Sequence, residues 1–252
     1  MGNGEKTAVL GVNFDVVTMD GAVEKALSFL REDKPHTIFT PNPEIVLEAR
    51  KNKAFKDILN SADLLIPDGI GVVYASRLNK VKIRQRVPGY DLLLNIFNEI
   101  RNTGETVYFF GGAPGVAELA KLKMEERFPG LKIVGASDGY FDAEKERFII
   151  NDIITKKPDI LLAGLGFPKQ ETWIHEHKGV LPAKILIGVG GTLDGYSGKF
   201  RRSPVIWQKL GLEWFHRLIR DPKRFKRQLK LPLFVLIVLK EKIFGAEKQD
   251  NP

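Results

Sequence analysis

Between residues 7 and 198 the chain alternates short, continuously apolar runs with longer segments of helical periodicity, and this alternation constrains the fold more than any other feature. The runs are Ala8–Val12, Thr37–Thr40, Leu64–Ile66, Val107–Phe110, Lys132–Val134, Ile160–Leu165 and Ile185–Val189. Most are rich in Val, Ile, Leu and Phe and are bounded by Gly or Pro, as strands buried on both faces should be. The segments between them have helical spacing. In Met19–Arg31, Val23, Ala26, Leu27 and Leu30 share one face, and in Asp91–Arg101 so do Leu93, Leu94, Phe97 and Ile100. Repeated strand–helix alternation predicts an α/β fold, a Rossmann-like and mostly parallel sheet flanked by helices.

The pattern changes after the glycine-rich stretch Gly188–Gly198. We place a boundary there, with an α/β catalytic domain over 1–198 and a helical, basic and aromatic appendage over 199–252. Trp207, Leu210, Gly211, Trp214, Phe215 and Leu218 trace an apolar stripe. Asp221–Pro222 reads as an N-cap with proline at the first helical position, predicting a helix over 222–230 and another from 232 to about 244. Charge divides at the same place. From Lys199 onward there are 14 Lys/Arg against 5 Asp/Glu, whereas residues 1–198 carry 25 against 26, so the whole excess of +8 lies in the last fifth. Such a segment suits a polyanion. Basic residues interleaved with Trp and Phe favour an anionic membrane surface. Packing on the main domain is the plainer alternative, and no nucleic-acid recognition motif accompanies the charge, so no nucleic-acid partner is expected. The longest strongly apolar run, Leu233–Leu239, is far shorter than the roughly 20 residues of a membrane span. The first residues lack a basic stretch followed by an apolar one, so no signal peptide is expected. Together these features predict a cytoplasmic protein, peripheral at the inner face of the membrane. Homo-oligomerisation is left open, since the apolar stripe would serve a neighbour as well as its own domain.

In an open parallel sheet, ligands bind beyond the carboxyl ends of the strands. Six polar or glycine-rich segments fall there: Thr40–Pro43, Pro67–Gly69, Gly111–Gly115, Asp138–Tyr140, Gly164–Gln170 and Gly190–Asp194. Gly111 and Gly112 end a strand ahead of a helix, where backbone amides can approach a diphosphate; a tight turn explains them equally well. Asp68 follows one apolar strand and precedes Gly69–Gly71. Its carboxylate is placed either to take a proton from an attacking hydroxyl or to cap a helix over 70–78, and on the residues alone the cap is the simpler reading. Thr40 and Asn42 suit a phosphate, a sugar hydroxyl or the local turn. Lys169 and Gln170 open a helix over 169–178 and could touch a sugar. Arg84 and Arg86 form a basic loop, and Asp194 suits a ribose or a turn.

Other chemistries lack their residues. The chain has no cysteine, no D-x-D triplet and no P-loop, and His175 and His177 are two apart on a helix rather than four. No cofactor or metal is expected. The first strand–helix turn, Val12–Asp20, lacks the glycine fingerprint of a dinucleotide site.

Taken together, TPNPEIVLEAR (40–50), ADLLIPDGIGVV (62–73), RVPGYDLL (86–93), YFFGGAPGVAE (108–118), GLGFPKQE (164–171) and GVGGTLDGYSGKFRRSP (188–204) resemble the WecG/TagA/CpsF family of bacterial glycosyltransferases. The likeness is nearest to its TagA subgroup and covers most of the chain in order. It implies an inverting, metal-independent transfer of N-acetylmannosamine from a UDP-sugar donor to undecaprenyl-diphosphate-linked N-acetylglucosamine, in wall teichoic acid linkage-unit synthesis. It places the general base on Asp68, substrate contacts on Thr40, Asn42, Arg86 and Gln170, and diphosphate contacts on Arg217, Arg224 and Arg227. Use of another UDP sugar, or a non-catalytic nucleotide-binding module, are the alternatives.

Overall fold

The computed structural model describes residues 4–200, 203–204, 206–207, 212–220 and 229–245. Six parallel strands form the central sheet in the order β4-β3-β8-β7-β5-β6. They are β3 (His36–Phe39), β4 (Leu64–Leu65), β5 (Thr106–Gly111), β6 (Lys132–Ser137), β7 (Ile160–Gly164) and β8 (Ile185–Gly188). Each matches one of the predicted apolar runs.

The seventh run is a correction. Ala8–Val12 is not a strand of this sheet. The chain turns back within it, giving an antiparallel hairpin of β1 (Lys6–Val9) and β2 (Val12–Asp15) with Val9 opposite Val12. Leu10 and Gly11 form the turn at φ 51° and 82°. A two-residue turn with both residues left-handed matches the twist of the strands it joins. The hairpin is tied to the short edge strand β4, because the Asp15 carboxylate accepts from the Leu65 N–H at 2.8 Å. Burial pushes the Asp15 carboxyl above its ordinary value, opposed by that hydrogen bond and by Lys6.

Helices cover both faces of the sheet. Val107, Phe109, Ile160, Leu162, Ile185 and Ile187 face α1 (Met19–Phe29), α5 (Gly89–Ile100), α6 (Val116–Arg127) and α9 (Thr192–Tyr196). Tyr108, Phe110, Leu161, Ala163 and Leu186 face the other way, toward α2 (Pro43–Lys51), α3 (Lys53–Asn60), α4 (Ile70–Ser76), α7 (Ala143–Lys156) and α8 (Lys169–His177). The period-2 alternation of a strand is present, but since both layers are apolar the sequence shows only unbroken runs. Phe109 and Phe110 are fully buried on opposite faces, each stabilising the fold by about 2–3 kcal/mol.

After Gly198 come the helices α10 (Glu213–Arg220) and α11 (Lys230–Gly245). The latter extends the helix predicted from 232 by two residues at its start; most of the predicted helix over 222–230 lies outside the described residues. Helix α11 packs on α2 and α4. Phe234 and Val238 are buried in that layer, and Lys230 pairs with Glu44 at 2.8 Å. Its outer face is apolar and exposed at Leu233, Val235, Leu236, Leu239 and Ile243. No helix among the described residues is long and apolar enough to cross a membrane.

Candidate active site

Because all six strands of the sheet run parallel, the six predicted loops emerge together at its carboxyl edge. They build two adjoining regions. The first is an open cleft of about 580 Å³ beyond β5, β6, β7 and β8. It is walled by Gly112, Gly139, Gly164, Gly166, Gly190 and Gly191, with Tyr140, Phe141, Lys169, Asp194 and Lys199 as its polar and aromatic side chains.

The glycines of this cleft supply space more than hydrogen-bond donors. The Gly112 N–H, whose position suggested a phosphate-binding amide, is engaged by the Gly164 carbonyl at 3.1 Å. A Cβ at Gly111, whose φ is 141°, would collide with the Gly164 backbone, and one at Gly112 would come within 2.7 Å of Val116. The pair lets β5 and β7 close together under the cleft floor. Asp138 holds the opposite wall: its carboxylate meets Lys145 at 2.7 Å and accepts from the Tyr140 N–H. Burial would raise this carboxyl, but Lys145 and that amide hold it below its usual range. Lys169 lies 3.8 Å over the Phe141 ring, and Asp194 meets Lys199 at 3.4 Å.

The second region lies beyond β3 and β4. Asp68 does not cap α4. The N-cap there is Gly69, and no side chain bonds to the first turn. Asp68 serves a different helix: its Oδ2 accepts from Gly89 N–H, at the start of α5, at 3.4 Å. Helix α5 has no side-chain cap of its own, and Pro88 precedes it. The Asp68 backbone is fixed in turn by its N–H to the Pro41 carbonyl, and the neighbouring strand-end loop by Val87 N–H to the Pro67 carbonyl. These bonds bring Arg86 beside the carboxylate, with Nε 3.7 Å from Asp68 Oδ1. Arg86 Nη2 donates to Glu213 Oε2 at 2.9 Å, joining this loop to α10 across 127 positions of sequence. Thr40 stands against Gly89, where a Cβ would come within 3.1 Å of its side chain. Asn42 is the N-cap of α2, its Oδ1 accepting from the Glu44 and Ile45 N–H groups at 2.9 and 3.2 Å.

Gln170 braces the cleft from within the fold. It is buried; its Oε1 accepts from Gly190 N–H and its Nε2 donates to Glu171 Oε1, both at 2.9 Å. Its amide therefore holds the Gly190 wall of the cleft and packs 3.0 Å from the place a Cβ at Gly188 would take. Behind it, burial pushes the Glu171 carboxyl up to about 7, against the hydrogen bond from Gln170.

The sequence thus brings together Asp68, Arg86, Thr40 and Asn42 in one region, and Gly111, Gly112, Gln170 and Asp194 around the other. Arg217 lies on α10, and Arg224 and Arg227 lie outside the described residues. Glu171, Lys199 and Glu213 were not anticipated. Glu213 had a readable signal as one of only five acids in the basic last fifth, and Glu171 shares the helix face of Ile174. Among the described residues no cluster of three or more His, Asp or Glu side chains is arranged to hold a metal ion.

Comparison with known proteins agrees with this architecture. The model of the glycosyl transferase WecG/TagA/CpsF family matches residues 7–248. A protein of Bacillus spizizenii is 36% identical over 220 residues, 87% of this chain and 85% of its own. One of Staphylococcus aureus is 35% identical over 242 residues, 95% of this chain and 94% of its own. Both bear the name N-acetylglucosaminyldiphosphoundecaprenol N-acetyl-beta-D-mannosaminyltransferase. With a family match over nearly its whole length and relatives of this identity and coverage, the chain belongs to the WecG/TagA/CpsF family of glycosyltransferases.

Proposed function

We propose that the protein transfers N-acetylmannosamine from UDP to the 4-hydroxyl of undecaprenyl-diphosphate-linked N-acetylglucosamine, with inversion and without a metal. The observation that carries this reading is the pairing, at one sheet edge, of a glycine-walled cleft with a carboxylate held beside an arginine. The cleft suits a nucleotide diphosphate, with Tyr140 as an apolar platform and Lys169 and Lys199 as cations. Asp68 accepts the proton of the acceptor hydroxyl as its oxygen attacks the anomeric carbon. The bond from that carbon to the diphosphate oxygen breaks, and its electron pair leaves with UDP. Without a metal, that negative charge is met by lysine and arginine cations, Arg86 among them and Arg217, Arg224 and Arg227 by family position.

The lipid acceptor calls for a membrane surface, and the exposed apolar face of α11 with Lys240 and Lys242 beside it supports a peripheral mode of binding. The segment from residue 199 onward is proposed as the part that meets lipid.

The test measures UDP release from UDP-N-acetylmannosamine, with and without a short-chain lipid-diphosphate-N-acetylglucosamine acceptor, in EDTA. Acceptor-dependent release that persists in EDTA and collapses in Asp68→Asn is the expected result. Failure of wild type with this donor but turnover with another UDP sugar would reassign the donor. Normal turnover by Asp68→Asn would remove the base assignment.

A further inference from the structure

We infer that Lys169 is the catalytic cation of the cleft, the side chain that meets the negative charge of the departing diphosphate. This rests on the reading of the cleft as the donor site, and it decides between the two lysines that reading leaves equal. The charged side chains lining the cleft are Lys169, Asp194 and Lys199. Asp194 meets Lys199 at 3.4 Å, so those two charges offset each other. On the opposite wall, Lys145 gives its ammonium to both oxygens of Asp138, at 2.9 and 2.7 Å, and to the Tyr140 carbonyl at 2.9 Å. Lys169 meets no carboxylate among the described residues; its Nζ stands 3.8 Å from the centre of the Phe141 ring. One positive charge is left over in the cleft, and it belongs to Lys169.

That charge sits where the fold alone gains nothing from it. Lys169 is the first residue of α8, and a cation is unfavourable at a helix N-terminus, where the macrodipole is positive. The Phe141 ring, which packs on Phe110 and lines the cleft, is a weaker partner for an ammonium than a phosphate oxygen is. An anion entering the cleft therefore gains Lys169 without breaking an ion pair, whereas Lys199 must first leave Asp194. The root of the side chain is fixed. Gln170, next in the chain, is buried, with its N–H on the Gly166 carbonyl and its Oε1 on the Gly190 N–H, both at 2.9 Å. Only the flexible stem has to move. As the bond from the anomeric carbon breaks, its electron pair passes to the diphosphate oxygen, and the ammonium donates a hydrogen bond there while keeping its proton. The charge it meets is greater in the transition state than in the bound donor, so the contact belongs to kcat as well as to binding.

Three variants of the full-length protein test this: Lys169→Met, which keeps the stem and removes the charge, Lys169→Arg, and Lys199→Met. Each is compared with wild type in acceptor-dependent UDP release and in inhibition by UDP and by uridine. We expect Lys169→Met to lower kcat by roughly a hundredfold. It should weaken inhibition by UDP about tenfold or more while that by uridine stays within about twofold, because uridine has no phosphate for the lysine to touch. Lys169→Arg should recover at least about tenfold of the rate, and Lys199→Met should lose at least about fivefold less than Lys169→Met. Unchanged kcat in Lys169→Met, equal weakening of UDP and uridine, or an equal loss in Lys199→Met would each overturn the inference. Lys169 is exposed, so its variants should melt as wild type does; should Lys169→Met not, the same comparison with Lys169→Gln decides. The two ideas fail separately. A wild type inhibited by neither UDP nor uridine, and turning over no UDP sugar, removes the reading of the cleft. A wild type inhibited by UDP, with Lys169→Met undiminished, leaves that reading standing and removes only the role of Lys169.

Discussion

Glu171 shows how one buried side chain can make stability depend on pH. Its Oε1 accepts from Gln170, its Oε2 has no hydrogen-bond partner among the described residues, and burial moves the carboxyl from 4.5 to about 7. The folded protein therefore holds a proton that the unfolded chain releases above 4.5. Stability is at its full value below that pH, falls as pH rises from 4.5 to about 7, and is level above it as far as this group is concerned. The loss is at most about 3 kcal/mol. Glu171→Gln keeps an acceptor for Gln170 and cannot ionise. Urea unfolding should then show wild type losing stability between pH 5 and pH 8 relative to the variant; parallel curves would refute the assignment. The sequence did not expose this residue because Lys169, Gln170 and Glu171 are three polar residues in a row at a helix start. Only the spacing of Gln170 to Trp173 and Ile174, and of Glu171 to Ile174, marks the buried face. Asp68 was legible as a carboxylate at a strand end, but its helix was misassigned. The cap reading assumed the nearest helix in sequence, and the N–H it meets belongs to Gly89, 21 residues on.

Among the elements, the six strands of the parallel sheet were legible because an apolar run with turn residues at both ends has few other uses in a chain of this length. The hairpin was not, since Val9-Leu10-Gly11-Val12 is apolar through its own turn and nothing in it signals reversal except one glycine. At the cleft the glycines were visible, whereas their purpose was not. The expected donor, Gly112 N–H, is consumed by Gly164, and the need for glycine at 111 is steric. Gly111→Ala should therefore destabilise the fold by several kcal/mol, since β5 and β7 would have to part and φ is positive. Gly179→Ala, with nothing within 4 Å of the added methyl, should stay within about 0.5 kcal/mol of wild type. Thermal melts of the two variants check the contrast; similar melting points would mean that the strands can separate at little cost.

For the whole molecule, what the sequence made plain was a division of labour by charge, with a nearly neutral body and a basic end. It did not show how firmly that end is attached. Helix α11 places Phe234 and Val238 against α2 and α4, adding to the core that the body's own helices leave incomplete at Gly71 and Pro43. The opposite side of the same helix leaves Leu236 and Ile243 more than 60% exposed. One helix thus has two apolar faces, and substitution can separate them. Replacing Leu236 and Ile243 together by Glu removes two apolar side chains from the outer face and adds charge of the wrong sign for an anionic surface, while leaving the packed face intact. Each such side chain is worth about 1–2 kcal/mol when buried in lipid, so partition onto anionic vesicles should fall by at least about tenfold. Melting temperature should be little changed, and so should UDP release with a water-soluble acceptor. Release with an acceptor embedded in vesicles should fall in step with binding. Raised salt should weaken the wild type only in part, since apolar insertion persists when charges are screened. If the double variant binds vesicles as wild type does, α11 faces something other than lipid, and the membrane contact must lie with the basic residues between α10 and α11. If binding is lost but turnover on embedded acceptor is not, the acceptor reaches Asp68 without help from this helix.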